Sequence, residues 1–199
     1  MLDRLRRLHR FQSPDAQRLA ILFAVVYFAQ GMWSLPNQTL TMTLKERGMS
    51  AGQVATFFSF SVIPWLIKPA YGLLSDCVPL FGRRRRSYLL LTSALAAGAG
   101  LAMGLAAPHS YWWLVGLFTV MGLGLAFTDV LVDALMVENG KPRGLTGAFQ
   151  AVQWGAIYTA AVLVGELGGF LAERRSLRAA FVVAALFPLI SFGMTLFVV

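Results

Sequence analysis

From Ser87 to Ala107 the sequence runs twenty-one residues without a charged side chain, and from Ala179 to Val199 it does so again. At a rise of 1.5 Å per residue each run makes a helix of about 30 Å, the thickness of the hydrocarbon core of a bilayer. Four more long apolar stretches are separated by short loops that hold most of the charge. Charged residues make up 13% of the chain, where soluble domains carry about 25%. The expected fold is an all-α membrane protein whose six transmembrane helices form one bundle, at about 18–44, 53–74, 87–107, 111–137, 147–171 and 179–199. Residues 1–17 form a basic cytoplasmic tail (Arg4, Arg6, Arg7, Arg10) ahead of it. The apolar stretch after that tail is longer than the 7–15 residues of a signal-peptide core, so it is expected to remain as a span.

The net charge of +8 would suggest a nucleic-acid partner in a soluble protein. In a membrane protein it has another source, because cytoplasmic loops gather Lys and Arg. With the N-terminus inside, the cytoplasmic segments hold Arg4, Arg6, Arg7, Arg10, Arg18, Arg83 to Arg86, Lys141 and Arg143. The external loops hold Lys45, Arg47, Arg174, Arg175 and Arg178, a smaller set. The bias places the N-terminus in the cytoplasm, makes the bilayer a partner and leaves no role for nucleic acid. Cys77 is the single cysteine, His9 and His109 are isolated, and no metal-ligand set, nucleophile–base pair or phosphate loop occurs. Neither an enzyme, a metal site nor a cofactor is expected.

The first segment carries Tyr27, Gln30, Ser34, Asn37, Gln38 and Thr41 at spacings of three and four, a polar stripe on one helix face. An amide facing lipid is costly, so the stripe is expected to line a pathway or to bond neighbouring helices. Gly31 and Pro36 allow that helix to bend, and Pro64 and Pro69 predict a kink in the second. In the fifth, Gly147, Ala151, Gly155 and Thr159, and then Ala161, Gly165 and Gly169, form rows that permit close helix approach.

Charge inside the membrane is sparse. Asp129 and Asp133 are one turn apart on the fourth segment, and Lys68 on the second is expected at a matching depth. An ion pair of Lys68 with one or both aspartates is the sparing arrangement. Two roles stay open for it: a structural bridge, or a site where a carboxylate takes up a proton or Lys68 meets an anionic solute. Glu166 is a third intramembrane acid, with the polar stripe as its expected neighbour.

Between the second and third segments lies KPAYGLLSDCVPLFGRRRRSYL. Its Gly72-Leu-Leu-Ser-Asp76 and Gly82-Arg83-Arg84-Arg85-Arg86 resemble the cytoplasmic loop between helices two and three of the major facilitator superfamily. The Cys-Val-Pro-Leu-Phe insertion is similar to that of the folate–biopterin transporter family. Two further stretches agree, DVLVDALMVE at Asp129–Glu138 and GAFQAVQW at Gly147–Trp154, the latter with a Gln150–Trp154 spacing. The resemblance covers about residues 25–199.

That resemblance implies a secondary transporter of folate- or pterin-like solutes, working by alternating access and coupled to protons. This chain would be its N-terminal six-helix half, with a C-terminal bundle or a second copy completing it. The apolar sequence that continues to Val199 fits part of a longer protein. The solute pathway would hold Gln30, Ser34, Asn37, Gln38, Lys68, Asp129, Asp133, Glu166, Gln150 and Trp154, with Tyr27, Trp33 and Trp154 as stacking partners for a planar solute. The gating loop would hold Gly72, Asp76, Gly82 and Arg83 to Arg86, the arginines mainly setting topology and meeting anionic lipid. The superfamily places an arginine on helix four near the loop aspartate; this chain has Asp129 and Asp133 there instead, so that relay does not carry over unchanged. Alternatives are a carrier for another small solute and a membrane assembly protein on the same fold.

Overall fold

The computed structural model describes residue 11, residues 13–106 and residues 110–199. Arg4, Arg6, Arg7, Arg10, His9 and His109 lie outside the described residues. Those described form α1 (Pro14–Gly31), α2 (Asn37–Glu46), α3 (Ala51–Leu66), α4 (Lys68–Cys77), α5 (Arg86–Leu105), α6 (Tyr111–Gly140), α7 (Thr146–Glu173) and α8 (Leu177–Val198). Taking α1 with α2, and α3 with α4, gives six spans long and apolar enough to cross a membrane.

Local chemistry sets the ends and the breaks. Ser13 caps α1 by accepting from the Ala16 amide, with Pro14 and Asp15 in the first turn, where a fixed φ and a negative charge are both favourable. The helix therefore starts four residues before the expected Arg18. It ends at Gly31, and a short 3₁₀ turn over Met32–Ser34 leads through Pro36 into α2. The expected bend is thus a full break between two helices. The second span breaks at Ile67, where φ is −98° and ψ is 16°. Pro69 explains this, because it has no N–H for the Trp65 carbonyl and its ring crowds that oxygen. Lys68 consequently opens a new helix instead of sitting within one. A further correction concerns the hinge. Gly72 to Asp76 lie inside α4, and the turn is confined to residues 78–85, with Phe81 and Gly82 at φ values of 51° and 72°. Gly82 suits that left-handed region.

The packing order shows how the spans are arranged. Span three packs mainly on spans four and six, span one on five and six, and span two on four. Exchanging one with four, two with five and three with six returns the same set of pairs. The bundle is therefore two three-helix units in related positions. Three crossings leave the chain on the opposite side, so the second unit is inverted relative to the first.

Inside a bilayer, lipid is as apolar as leucine, so close fit rather than hydrophobic burial holds helices together. A Cβ placed on Gly31 would lie 2.6 Å from the Ala160 Cβ, and one on Gly124 would lie 2.6 Å from the Thr92 carbonyl oxygen. These glycines let α1 meet α7, and α6 meet α5. Of the glycines expected to do this on α7, only Gly169 approaches span one, 3.7 Å from Gln38 Oε1; a Cβ at Gly147, Gly155 or Gly165 would meet nothing within 4 Å. Those positions lie on the outer side of α7, away from α1. Spans two and five are the least covered, with 22% and 17% of their apolar windows buried, against 67% for span four.

Candidate functional site

Span four is the most buried of the six, and it carries the acids. Lys68 Nζ, at the first residue of α4, forms an ion pair with Asp129 Oδ2 on α6. Asp129 is almost wholly buried, whereas about a third of the Lys68 side chain, 34%, stays accessible. The ammonium also stands 4.7 Å over the Trp65 ring, a favourable cation–π position. The break at Ile67 makes this geometry possible by turning the start of α4 toward α6.

Asp133 is one turn further along α6 and pairs with no cation among the described residues. Its Oδ1 accepts a hydrogen bond from the Tyr27 hydroxyl of α1 and another, at 3.3 Å, from Gln153 Nε2 of α7. Of the two aspartates open to Lys68, then, Asp129 alone holds it. Four spans meet here: one through Tyr27, two through Lys68, four through both aspartates, and five through Gln153. Spans three and six contribute no charge and form the back of the bundle.

Gln153 was not legible as a site residue in the motif GAFQAVQW, where the Gln150–Trp154 spacing drew attention. The structure puts Gln150 and Trp154 on the exposed side of α7, with Trp154 stacked 5.7 Å from Tyr158. One signal favoured Gln153. It shares a helical face with Phe149, Ile157 and Ala160, the face packed on α1, where an amide needs a partner. Glu166 also lies on the outer side of α7, exposed and without an ion pair among the described residues. It is not the buried neighbour of the polar stripe that was expected.

That stripe divides. Tyr27 is fully buried against Asp133, and Ser34 bonds the Gly31 carbonyl. Gln30 Oε1 and Asn37 Oδ1 are buried with no hydrogen-bond partner among the described residues, as are Trp65 Nε1 and Tyr71 Oη. Asn37, Gln38 and Thr41 line a cleft of about 540 Å³, together with Met42, Phe58 and Ala172. Unpartnered amide oxygens in hydrocarbon cost several kcal/mol each, so this face suits water or a polar solute.

A second cluster closes the end of the bundle that holds the hinge. Arg85 Nη2 lies 2.7 Å from Asp76 Oδ1 and 2.7 Å from Glu138 Oε1, while Nη1 donates to Ser75 Oγ at 2.7 Å. One guanidinium thereby ties the end of α4 to the end of α6. Arg86 Nη2 donates to the Leu196 carbonyl at 2.8 Å, capping the last turn of α8. Only Arg83 and Arg84 are left exposed, so the four arginines do not act alike.

The charges around α6 and the GAFQAVQW stretch of α7 fall within residues 29–199, which match the model of the BT1 family. The chain belongs to the BT1 family. A folate-biopterin transporter of Synechocystis sp. is 37% identical over 185 residues, covering 91% of this chain and 37% of that protein. The Arabidopsis thaliana protein named Probable folate-biopterin transporter 4 is 31% identical over 172 residues, 84% of this chain and 35% of its own length. Folate transporter 1 of Plasmodium falciparum is 24% identical over 179 residues, with 88% and 35% covered. The chain thus spans little more than a third of the length of these relatives. They are named as transporters, not enzymes, and with six membrane-length helices this is an integral, multi-pass membrane protein. No solved structure matches the chain.

Proposed function

We propose that this chain is the N-terminal six-helix half of a secondary transporter of folate- or pterin-like solutes, with its N-terminus in the cytoplasm. The observation that carries the proposal is the polar network inside the membrane. Lys68–Asp129 and Tyr27–Asp133–Gln153 join spans one, two, four and five, and on span one Gln30 and, further along, Asn37 hold oxygens unpartnered among the described residues. Intramembrane charges and unpaired amides are kept where a substrate or ion passes. A folate presents carboxylates for the accessible Lys68, and its planar ring suits the aromatic surroundings of Trp33 and Trp65, whose centroids are 6.1 Å apart.

Alternating access needs a second unit to rock against. The exposed sides of spans two and five, including Gln150, Trp154 and Glu166, are the surface that a second bundle or a second copy of this one would cover. In that cycle the Asp76–Arg85–Glu138 cluster would hold the cytoplasmic end together in one state and part in the other. Coupling to protons fits the buried acids.

Uptake tests the reading. The full gene product, expressed in cells without folate uptake of their own, should accumulate labelled folate or biopterin and exchange it for unlabelled solute. Normal membrane insertion with neither uptake nor exchange of any pterin would leave another solute or an assembly role instead.

A further inference from the structure

We infer that the two aspartates of α6 divide the work: Asp129 stays paired with Lys68, and Asp133 alone takes up and releases the coupling proton. The inference rests on the transporter reading above and adds which side chain carries the proton and what holds it. It begins with charge. One cation and two carboxylates share the interior of the bundle, and the cation is committed to Asp129 Oδ2. With both acids ionised the site holds one uncompensated negative charge; with Asp133 protonated it is neutral. Low-dielectric surroundings penalise the first state, so the second is reached by binding a proton rather than by moving Lys68.

Among the described residues, the groups that bond Asp133 bring no compensating charge. From α1 it faces Tyr27, from α7 Gln153, both neutral donors. On α4 the charged groups are Lys68, already paired with Asp129 of α6, and Asp76, which shares Arg85 with Glu138, the next acid along α6. The helix α3 has no charged residue, α5 has none beyond Arg86 at its start, and the acids Glu166 and Glu173 of α7 lie toward the far end. Asp15 and Arg18 stand at the first turns of α1, near Asn139 and Arg143.

Both donors converge on Oδ1, so Oδ2 is the oxygen left to carry the proton. Uptake forms one O–H bond at Oδ2, release breaks it to water, and the Tyr27 hydroxyl keeps its own proton throughout. Tyr27 and Gln153 are positioning residues, since they act through Asp133. Hydrogen bonds to a carboxylate are roughly twice as strong as neutral ones, so protonation loosens the ties from α6 to α1 and α7. Tyr27 sits one turn before the break at Gly31–Pro36. Loading the proton thus frees the lower half of span one to move relative to span four.

Infrared difference spectra of the full chain in lipid, taken as pH is lowered, read this directly. A carbonyl stretch of a protonated carboxyl should appear in the parent, vanish in Asp133→Asn, return displaced in Asp133→Glu and stay unchanged in Glu166→Gln. Tyr27→Phe should keep the band and shift its frequency, which a merely structural tyrosine would not do. In transport, Asp133→Asn should lose the whole of the accumulation driven by an acid-outside gradient. Persistence of the band or of pH-driven accumulation in Asp133→Asn overturns the assignment, as does accumulation driven by sodium at any pH. A parent that exchanges no folate or biopterin overturns the transporter reading, while the infrared titration still decides where the proton binds.

Discussion

Replacing Lys68 with methionine removes the charge and keeps most of the stem, so packing against Trp65 changes little. What changes is Asp129, which is 3% exposed and would be left without a cation. Breaking a buried pair from one side costs about 3–5 kcal/mol, most of it the stranded charge. The 34% exposure of the Lys68 side chain shows that water already reaches one partner. The lower end of that range, about 3 kcal/mol or roughly a 100-fold shift in the folding equilibrium, is therefore the expected loss. Asp129→Asn in the Lys68→Met background removes the stranded charge and should recover most of it. The cation–π contact remains lost, so the double variant should stay about 0.5–1 kcal/mol below the parent. Equilibrium unfolding of the purified chain in mixed micelles measures all three. The reasoning fails if Lys68→Met lies within 1 kcal/mol of the parent, or if Asp129→Asn rescues nothing.

The close contact at Gly31 makes a second prediction: Gly31→Ala forces α1 away from Ala160 and the Ile157 backbone, costing about 1–3 kcal/mol in the same unfolding assay. The corresponding change at Gly155, which faces open space, should be neutral or mildly stabilising. Arg85→Gln cuts both arms to Asp76 and Glu138, which are more than half exposed at 55% and 53%. Each arm is worth at most about 1 kcal/mol, so stability should fall little while solvent labelling of a cysteine placed at the α4–α6 end rises. Equal labelling in parent and variant would remove the gating role. Trp154→Ala and Glu166→Gln should each change the unfolding free energy by no more than about 0.5 kcal/mol, because both are exposed on α7; a larger loss in either would place it against a neighbour.

How much of this was legible depends on how far the deciding interaction reaches along the chain. Six spans follow from apolar length, and the family follows from contiguous motifs such as GLLSD and GAFQAVQW. Kinks at Pro36 and Pro69 are local too, because a missing N–H acts on the turn that contains it. The choice between Gln150 and Gln153 was not local. Both are amides of one motif, and only the neighbour against which α7 lies makes Gln153 the partner of Asp133. The same holds for Gly147, Gly155 and Gly165 of α7, whose spacing permits close packing on a side where none of the described residues comes within 4 Å.

The four arginines show the division between sequence and structure most plainly. By itself the sequence determined that a basic hinge follows an apolar span, that three acids and a lysine are committed to the membrane, and that the chain must satisfy its backbone as helices there. Tertiary structure decided which charges meet: Arg85 with Asp76 and Glu138, Arg86 with the end of α8, Lys68 with Asp129, and Tyr27 and Gln153 with Asp133. The physical reason is one of range. Hydropathy and helix formation are set within a few turns, whereas pairing a charge in a low-dielectric interior depends on which distant segment is folded against it.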